Sequence, residues 1–189
     1  MKGRKLIESN IIEAWEKCIR QAYDNQLINS EGSLQAYFWY YLKKELPPNR
    51  RLFIEPRMAF GRGNSSKKVY PDIVVCNTVN VIAIIELKYL PRIKTVKRHK
   101  KDIANLAYIA KHRERTFVSN KRFLGEGKNP KKYKLPSKIL FVYVSVHKKL
   151  DLEEYPLYAS GYKSLKGCYL QLHAVTEKGK KAKVLISKY

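Results

Sequence analysis

The segment VYPDIVVCNTVNVIAIIELK, residues 69–88, decides how the centre of this chain folds. Residues 69–76 and residues 81–88 are rich in valine and isoleucine, which is typical of buried β-strands. The intervening polar sequence NTVN at residues 77–80 predicts a turn. We therefore expect a hairpin of two apolar strands that carry a few charged residues near their ends.

Three charged residues of this hairpin, Asp72, Glu86 and Lys88, are predicted to lie on one face. If the hairpin is centred on Val79, Asp72 lies directly opposite Glu86, because each is seven residues from that centre. Side chains paired in this way have Cβ atoms ~4.5–5.5 Å apart. Lys88 is two residues beyond Glu86 and therefore points to the same face. A slip of one residue would separate the pair.

Two carboxylates that face each other in a partly buried sheet repel each other and resist desolvation. A divalent cation would compensate this cost, since hard oxygen ligands suit Mg²⁺, for which Mn²⁺ can substitute. Such a metal would stabilise charge on a phosphoryl oxygen and activate a water molecule that Lys88 orients. The alternative is that the two acids only form ion pairs with Lys88 and a neighbouring arginine.

The rest of the chain predicts a mixed β-sheet flanked by helices. Amphipathic helices are expected at residues 10–27, 31–46 and 96–112, with Asn10 and Ser30 as N-caps of the first two. Strands are expected at residues 51–60, 69–76, 81–88, 138–146, 168–175 and 182–187. A crossover through the third helix allows a parallel strand pair, so we predict one α/β domain over residues 1–189.

Pro71-Asp72, followed after thirteen residues by Glu86-Leu87-Lys88, resembles the signature of the PD-(D/E)XK nuclease superfamily. That family has a restriction-endonuclease-like α-β-β-β-α-β core, which the predicted order matches over residues 31–146. An extra N-terminal helix and a C-terminal β extension lie outside this core. The motif has the position expected of it, on the second and third predicted strands.

The resemblance implies a role for each residue of the motif. Asp72 and Glu86 would bind the metal together with the backbone carbonyl of Leu87, and Lys88 would position the attacking water. Many members add an acid from the helix before the first strand, and Glu31 is the candidate here. Alternatively, Glu31 only favours the helix dipole. Glu45 and Glu55 are alternatives for this acid, and Gln35 lies one turn beyond Glu31. His99, Lys100 and Lys101 open the third predicted helix and could meet the scissile phosphate or be solvated charge.

The chain is strongly basic, with a formal net charge of +23 over 189 residues. Such a charge predicts an anionic partner, and nucleic acid is the first candidate. The positive charge concentrates in residues 88–138 and in the predicted loops 61–68 and 121–134, although these segments could also be solvated surface. The predicted nucleic-acid contacts are Arg62, Lys67, Lys68, Lys97, Lys100, Lys101, Lys121, Arg122, Lys131 and Lys132.

Several classes of protein are excluded by what the sequence lacks. Its three cysteines form no CxxC pair, which excludes a zinc ribbon and argues against a disulfide framework. No apolar run is long enough to span a bilayer, and the first residues do not form a signal peptide. We therefore expect a cytoplasmic protein without a membrane partner.

The predicted function is metal-dependent hydrolysis of phosphodiester bonds by a metal-activated water, with DNA favoured over RNA as the substrate. A homodimer of this chain could cut both strands of a duplex. Two alternatives keep the same fold. One is a nucleic-acid-binding module without catalysis, and the other is a subunit of a larger DNA-processing complex that is active only with its partner.

Overall fold

The computed structural model describes residues 2–60, 67–92, 99–113, 117–119, 132–149 and 155–189. Three α-helices are present in these ranges: α1 (Lys2–Cys18), α2 (Glu31–Glu45) and α3 (Lys100–His112). A π-helical segment, Ile19–Tyr23, continues α1. The strands are β1 (Arg51–Ile54), β2 (Met58–Phe60), β3 (Lys67–Val69), β4 (Ile73–Cys76), β5 (Val81–Leu90), β6 (Phe117–Ser119), β7 (Lys132–Lys134), β8 (Leu140–Lys148), β9 (Tyr169–Thr176) and β10 (Lys183–Lys188).

A six-stranded sheet with the order β1-β4-β5-β8-β9-β10 forms the centre of the molecule. The pairs β1–β4, β4–β5 and β9–β10 are antiparallel, whereas β5–β8 and β8–β9 are parallel. Helix α3 lies in the connection from β5 to β8, as a parallel pair requires. The predicted fold class, a mixed sheet flanked by helices, is thereby confirmed.

Helices cover both faces of this sheet because its strands are apolar on both faces. Ile85 and Leu87 of β5 belong to the core that contains α1 and α2, where Trp15 and Phe38 meet edge to face at 5.5 Å. Ile84 belongs to the core on the opposite face, which contains α3. Strand alternation therefore places Glu86 and Lys88 on the α3 face.

The two predicted strands at residues 51–60 and 69–76 are each divided in the structure, which corrects the prediction. The first becomes β1 and β2, separated by Glu55 at a φ of 46° and by Pro56. The second becomes β3 and β4, separated by Tyr70, Pro71 and Asp72. Proline has no N–H to donate to a strand ladder. The first interruption leads the chain from the six-stranded sheet into a second sheet of order β3-β2-β6-β7, and the second interruption leads it back.

The helix boundaries also differ from those predicted. Helix α1 begins at Lys2, so Asn10 lies inside it and does not cap it. Helix α2 begins as predicted, because Ser30 and Ser33 form a reciprocal capping box. It ends at Glu45, just before the two prolines at positions 47 and 48. Helix α3 is described from Lys100 onward, and the predicted start at residues 96–98 lies outside the described residues.

Candidate active site

The hairpin register predicted from the sequence is present next to Asp72. Strands β4 and β5 pair Ile73 with Ile85 and Val74 with Ile84, and the same register continued by one position sets Asp72 opposite Glu86. Asp72 directly precedes β4, and its Oδ2 accepts a hydrogen bond of 2.6 Å from the backbone N of Leu87. This bond holds the Asp72 carboxylate against the strand that carries Glu86 and Lys88.

The two carboxyl groups lie where ionisation is costly. Glu86 is only 5% exposed, and its Oε1 has no hydrogen-bond partner among the described residues. Burial raises the pKa of Asp72 to about 6, against a smaller opposing effect of the Leu87 hydrogen bond. Burial, followed by the charges of Asp72 and Asp102, raises the pKa of Glu86 well above its ordinary value. The ionised pair therefore needs a positive charge beside it.

Lys88 lies between two further acids. Its Nζ is 3.5 Å from Oε1 of Glu31 and 3.4 Å from Oδ2 of Asp102, and its side chain is 24% exposed. Burial alone would lower the pKa of Lys88, but the two neighbouring carboxylates outweigh it and the net shift is upward. Lys88 is thus kept charged and is held from both sides on the α3 face.

Helix α2 brings two predicted residues to the site. Glu31 is its first residue, and Oε2 of Glu31 accepts a 3.1 Å hydrogen bond from the backbone N of Tyr89. One turn further on, Nε2 of Gln35 donates a 3.0 Å hydrogen bond to the backbone O of Asp72. Helix α2 therefore holds both the segment that contains Lys88 and the backbone of Asp72 in place.

The other candidate acids have different surroundings. Oε1 of Glu45 is 2.8 Å from Nζ of Lys17, in a contact between α2 and α1. Glu55 is exposed, and it contacts Asp72 through its backbone N–H, which donates to the backbone O of Asp72 at 3.0 Å. The described contacts thus connect neither of these side chains with the Asp72–Glu86 pair.

Asp102 is a site residue that the sequence interpretation missed. It lies in the first turn of α3 with a side chain that is 13% exposed, and it is the only acid of that helix. The one signal in the sequence was this single acid within a basic helix. Its meaning depends on Lys88, which is distant along the chain and becomes a neighbour only when α3 packs on β5.

The predicted nucleic-acid contacts that fall within the described ranges lie on α3 and on the second sheet. Lys100 and Lys101 are exposed in the first turn of α3. Lys67, Lys68 and Lys132 are exposed on β3 and β7, which corrects the prediction that they belong to loops. Nζ of Lys67 lies 3.8 Å from the ring centroid of Tyr108. The predicted contacts outside the described residues are Arg62, Lys97, Lys121, Arg122 and Lys131.

A row of buried polar residues extends from the carboxylates across the parallel strands. The register aligns Glu86 with Tyr143 and Gln171, and it aligns Lys88 with Ser145 and His173. Oγ of Ser145 lies 2.6 Å from Nδ1 of His173, and both side chains are fully buried. The sequence interpretation missed this row because polar residues alternating within an apolar strand usually face solvent.

His99 belongs to the same buried region. It precedes α3, is 2% exposed, and contacts the hydroxyl of Tyr143 through its Nδ1. Its ring stacks on Tyr158 with a centroid distance of 4.5 Å. The idea that His99 meets the scissile phosphate is therefore not supported by its position, which is enclosed beneath neighbouring aromatic rings.

The buried row predicts an acid-sensitive contribution to stability. Burial, with smaller effects of His147 and His99, lowers the pKa of His173 from 6.5 to about 3. The unfolded chain therefore gains this proton below about pH 6.5 while the folded chain does not, so the fold loses stability as the pH falls. When the pH falls from about 8 to about 5, His173 should lower the unfolding free energy by about 2 kcal/mol.

Urea unfolding of the wild type and of His173→Gln at both pH values measures this contribution. The advantage of the wild type over the variant should shrink by that amount at the lower pH. The raised pKa values of Asp72 and Glu86 act in the opposite direction, but they are common to both proteins and cancel in the difference. His112→Gln at the end of α3 is the control, and an equal response of both variants would refute the assignment to His173.

The oxygen donors of the site can be compared with what a divalent metal ion requires. Across the described ranges, no group of three or more His, Cys, Asp or Glu side chains is arranged to hold one. Asp72 and Glu86 nevertheless supply two hard oxygen donors, and the buried Oε1 of Glu86 lacks a partner. These features fit Mg²⁺, which binds through one or two carboxylates and keeps several waters.

Comparisons with known proteins show a structural similarity and no sequence match. No protein-family model and no curated protein matches this sequence. A solved structure, that of P. aeruginosa ATCC27853 NucC in its cAAA-bound form, is similar over 98% of this chain and 83% of that chain, with a TM-score of 0.44 and 12% identity. In the described part of the chain, every helix is too short or too polar to cross a membrane.

Proposed function

We propose that this protein is a divalent-metal-dependent nuclease of the PD-(D/E)XK type that acts on DNA. The observation that carries the proposal is the pairing of Asp72 with the buried Glu86, with the charged Lys88 on the same face of β5 as Glu86. A basic chain with a net charge of +23 supplies attraction for a phosphate backbone. The charge of the chain thus favours a polyanionic substrate such as DNA. Hydrolysis of a phosphodiester bond would use the Asp72 and Glu86 carboxylates together with the Lys88 ammonium.

Each residue has a distinct part in the proposed reaction. Asp72, Glu86 and the backbone carbonyl of Leu87 would hold Mg²⁺, which when bound supplies positive charge to a phosphodiester oxygen and makes a nearby water a stronger acid. Lys88 would orient the water and the phosphate through its ammonium protons. Glu31 and Asp102 hold that ammonium in place, and Gln35 holds the backbone of Asp72.

Lys100 and Lys101 at the start of α3, together with Lys67, Lys68 and Lys132 on the second sheet, would contact the phosphate backbone. Most of this attraction should be independent of sequence and weakened by salt. We also propose that two copies of the chain act together when both strands of a duplex are cut. Gel filtration in the presence of duplex DNA tests this last step.

The proposal is tested by incubating the protein with linear, circular and branched DNA in Mg²⁺, in Mn²⁺ and in EDTA. Cleavage should require the metal, and Asp72→Asn should slow it by at least about a hundredfold, because one of two metal-binding carboxylates is lost. Glu177→Gln, which changes an exposed acid paired with Lys180, is the matched control. Cleavage that continues in EDTA, or at full rate in Asp72→Asn, would exclude the mechanism.

A second candidate function is binding of nucleic acid without hydrolysis. It is favoured by the raised pKa of Glu86, since a carboxyl group that keeps its proton needs no metal, and by the fact that Glu31 and Asp102 already neutralise Lys88. Tight binding without cleavage by the wild type or by Asp72→Asn would support it. Cleavage that appears only after a partner protein is added would instead indicate a subunit of a larger complex.

A further inference from the structure

A second concave surface lies beside the candidate active site, at the end of β5. It is a cavity of about 940 Å³ lined by Tyr23, Asn29, Tyr89, Arg92, Lys180 and Lys181 among others. We call it the β5-end pocket. Its volume lies within the range of pockets that hold one small organic ligand, and it is too small to enclose a duplex.

Hydrogen bonds between distant segments hold the walls of this pocket together. Oδ1 of Asp24 accepts a 3.0 Å bond from the backbone N of Ala182, which ties the end of the first helix to the chain before β10. The hydroxyl of Thr176 donates to the backbone O of Pro91 at 3.3 Å. The hydroxyl of Tyr89 donates to the backbone O of Ile28 at 3.1 Å. The pocket is therefore formed without a ligand.

The charge of the pocket is positive. The carboxylate of Asp24 is engaged by the Ala182 N–H, and Lys180 pairs with Glu177 at 2.9 Å. Within the described ranges, no ion pair involves Arg92 or Lys181. Asp24 lines the same pocket, but no contact among the described residues pairs it with either cation, so Arg92 and Lys181 leave an excess of positive charge that makes a phosphate group a suitable ligand.

The pocket contains two neighbouring aromatic rings, and Glu31 contacts residues of both the pocket and the site. The rings of Tyr23 and Tyr89 meet edge to face with centroids 6.4 Å apart, and aromatic faces next to cations are the usual platform for unpaired bases. Tyr89 directly follows Lys88, and Glu31 contacts both residues, through Oε2 to the N of Tyr89 and through Oε1 to Nζ of Lys88. The pocket and the site therefore share the end of β5, with Tyr89 on the face opposite Lys88.

We propose that the β5-end pocket binds the nucleotides that adjoin the reacting phosphodiester on a single strand of DNA. Arg92 and Lys181 would contact the phosphates of this strand, and Tyr23 and Tyr89 would face its bases. The inference rests on the proposed nuclease function, because it assigns the flanking part of the same substrate. It also gives the enzyme a preference for strand ends or unpaired regions.

Binding of a short fluorescein-labelled single-stranded DNA in EDTA tests the pocket without any cleavage. The double variant Arg92→Ala/Lys181→Ala should bind roughly tenfold more weakly, and the slope of log Kd against log salt should fall by about 1.4, the value for two lost contacts with a single strand. The matched control is Arg50→Ala/Lys138→Ala. Those two cations line another cavity, of about 610 Å³, which includes Ile82 near the start of β5.

The outcomes separate the pocket from the nuclease function. Equal weakening by both double variants would overturn the pocket, since only bulk charge would then matter, and it would leave metal-dependent cleavage untouched. Selective weakening by Arg92→Ala/Lys181→Ala supports the pocket, even if the wild type cuts no DNA in Mg²⁺ and the nuclease proposal fails. The assignment to a strand would also be overturned if a free mononucleotide displaced the labelled strand at the same concentration as an unlabelled strand of the same sequence does.

Discussion

Replacing Glu86 by glutamine should abolish metal-dependent cleavage and, in the same protein, stabilise the metal-free fold. The carboxylate of Glu86 is buried, its Oε1 has no hydrogen-bond partner in the described ranges, and it faces the like charge of Asp72. Glutamine keeps the shape but has no charge, and its amide can donate a hydrogen bond to Asp72. The substitution therefore removes the cost that a bound cation would otherwise offset.

Both effects should be large enough to measure easily. Burial and the like charge of Asp72 raise the pKa of Glu86 well above its ordinary value, so this group destabilises the fold at neutral pH, where the unfolded chain releases the proton freely. Glutamine does not ionise, and the variant should therefore gain at least about 1 kcal/mol of unfolding free energy in EDTA at neutral pH. Loss of a metal-binding carboxylate should reduce cleavage by at least about a hundredfold. If Glu86 served only to fill space in the core, Glu86→Gln would not change stability and activity in opposite directions.

Thermal unfolding in EDTA and in Mg²⁺, together with a cleavage assay, measures this prediction. The wild type should become more stable when Mg²⁺ is added, by mass action, whereas Glu86→Gln should respond little. Glu177→Gln, at an exposed acid, should leave both the metal response and the cleavage unchanged. A less stable Glu86→Gln protein that still cuts DNA would contradict the account.

The part of the site that the sequence predicted is the part encoded by neighbouring residues. Two short apolar segments around one turn set the register of β4 and β5, and this register places Asp72 opposite Glu86. The capping sequence at Ser30 similarly placed Glu31 at the start of α2. The local sequence was sufficient in both cases, because the turn and the cap lie only a few residues from the side chains that they position.

The parts that were missed depend on contacts between distant segments. Asp102 acquires its role only when α3 packs across β5 and brings it to Lys88. Ser145 and His173 belong to apolar segments, and only the parallel pairing of β8 with β9 aligns them. The division of the early strands was signalled by Pro56 and Pro71, but the second sheet also needs β6 and β7 from much later in the chain.

Lys88→Met should abolish cleavage while leaving the binding of DNA in EDTA nearly intact. The substitution removes the only ammonium that the described contacts place beside Glu31 and Asp102, and methionine retains most of the length of the lysine stem. We expect the turnover rate to fall by at least about a hundredfold, because orientation of the reacting groups is lost. Binding should change little, since the whole chain carries a net charge of +23.

Methionine at this position also leaves two carboxylates without their partner, so loss of activity could be confused with loss of the fold. Asp102→Asn separates the two, because it keeps Lys88 and removes only one of the two groups that hold it. As a positioning residue, Asp102 should affect the turnover rate by about tenfold and leave KM nearly unchanged. Glu45→Gln is the matched control, since Glu45 is also a partly buried acid paired with a lysine, Lys17, at 2.8 Å.

The decisive measurement is the double variant Lys88→Met/Asp102→Asn. If Asp102 acts through Lys88, the two losses of activity are not additive, and the double variant should cut no more slowly than Lys88→Met alone. Its stability should exceed that of Lys88→Met, because the second substitution removes the charge of Asp102, a partly buried acid that has lost its ammonium partner. Additive losses of activity would show that Asp102 acts on the substrate independently of Lys88, and the proposed positioning role would then be wrong.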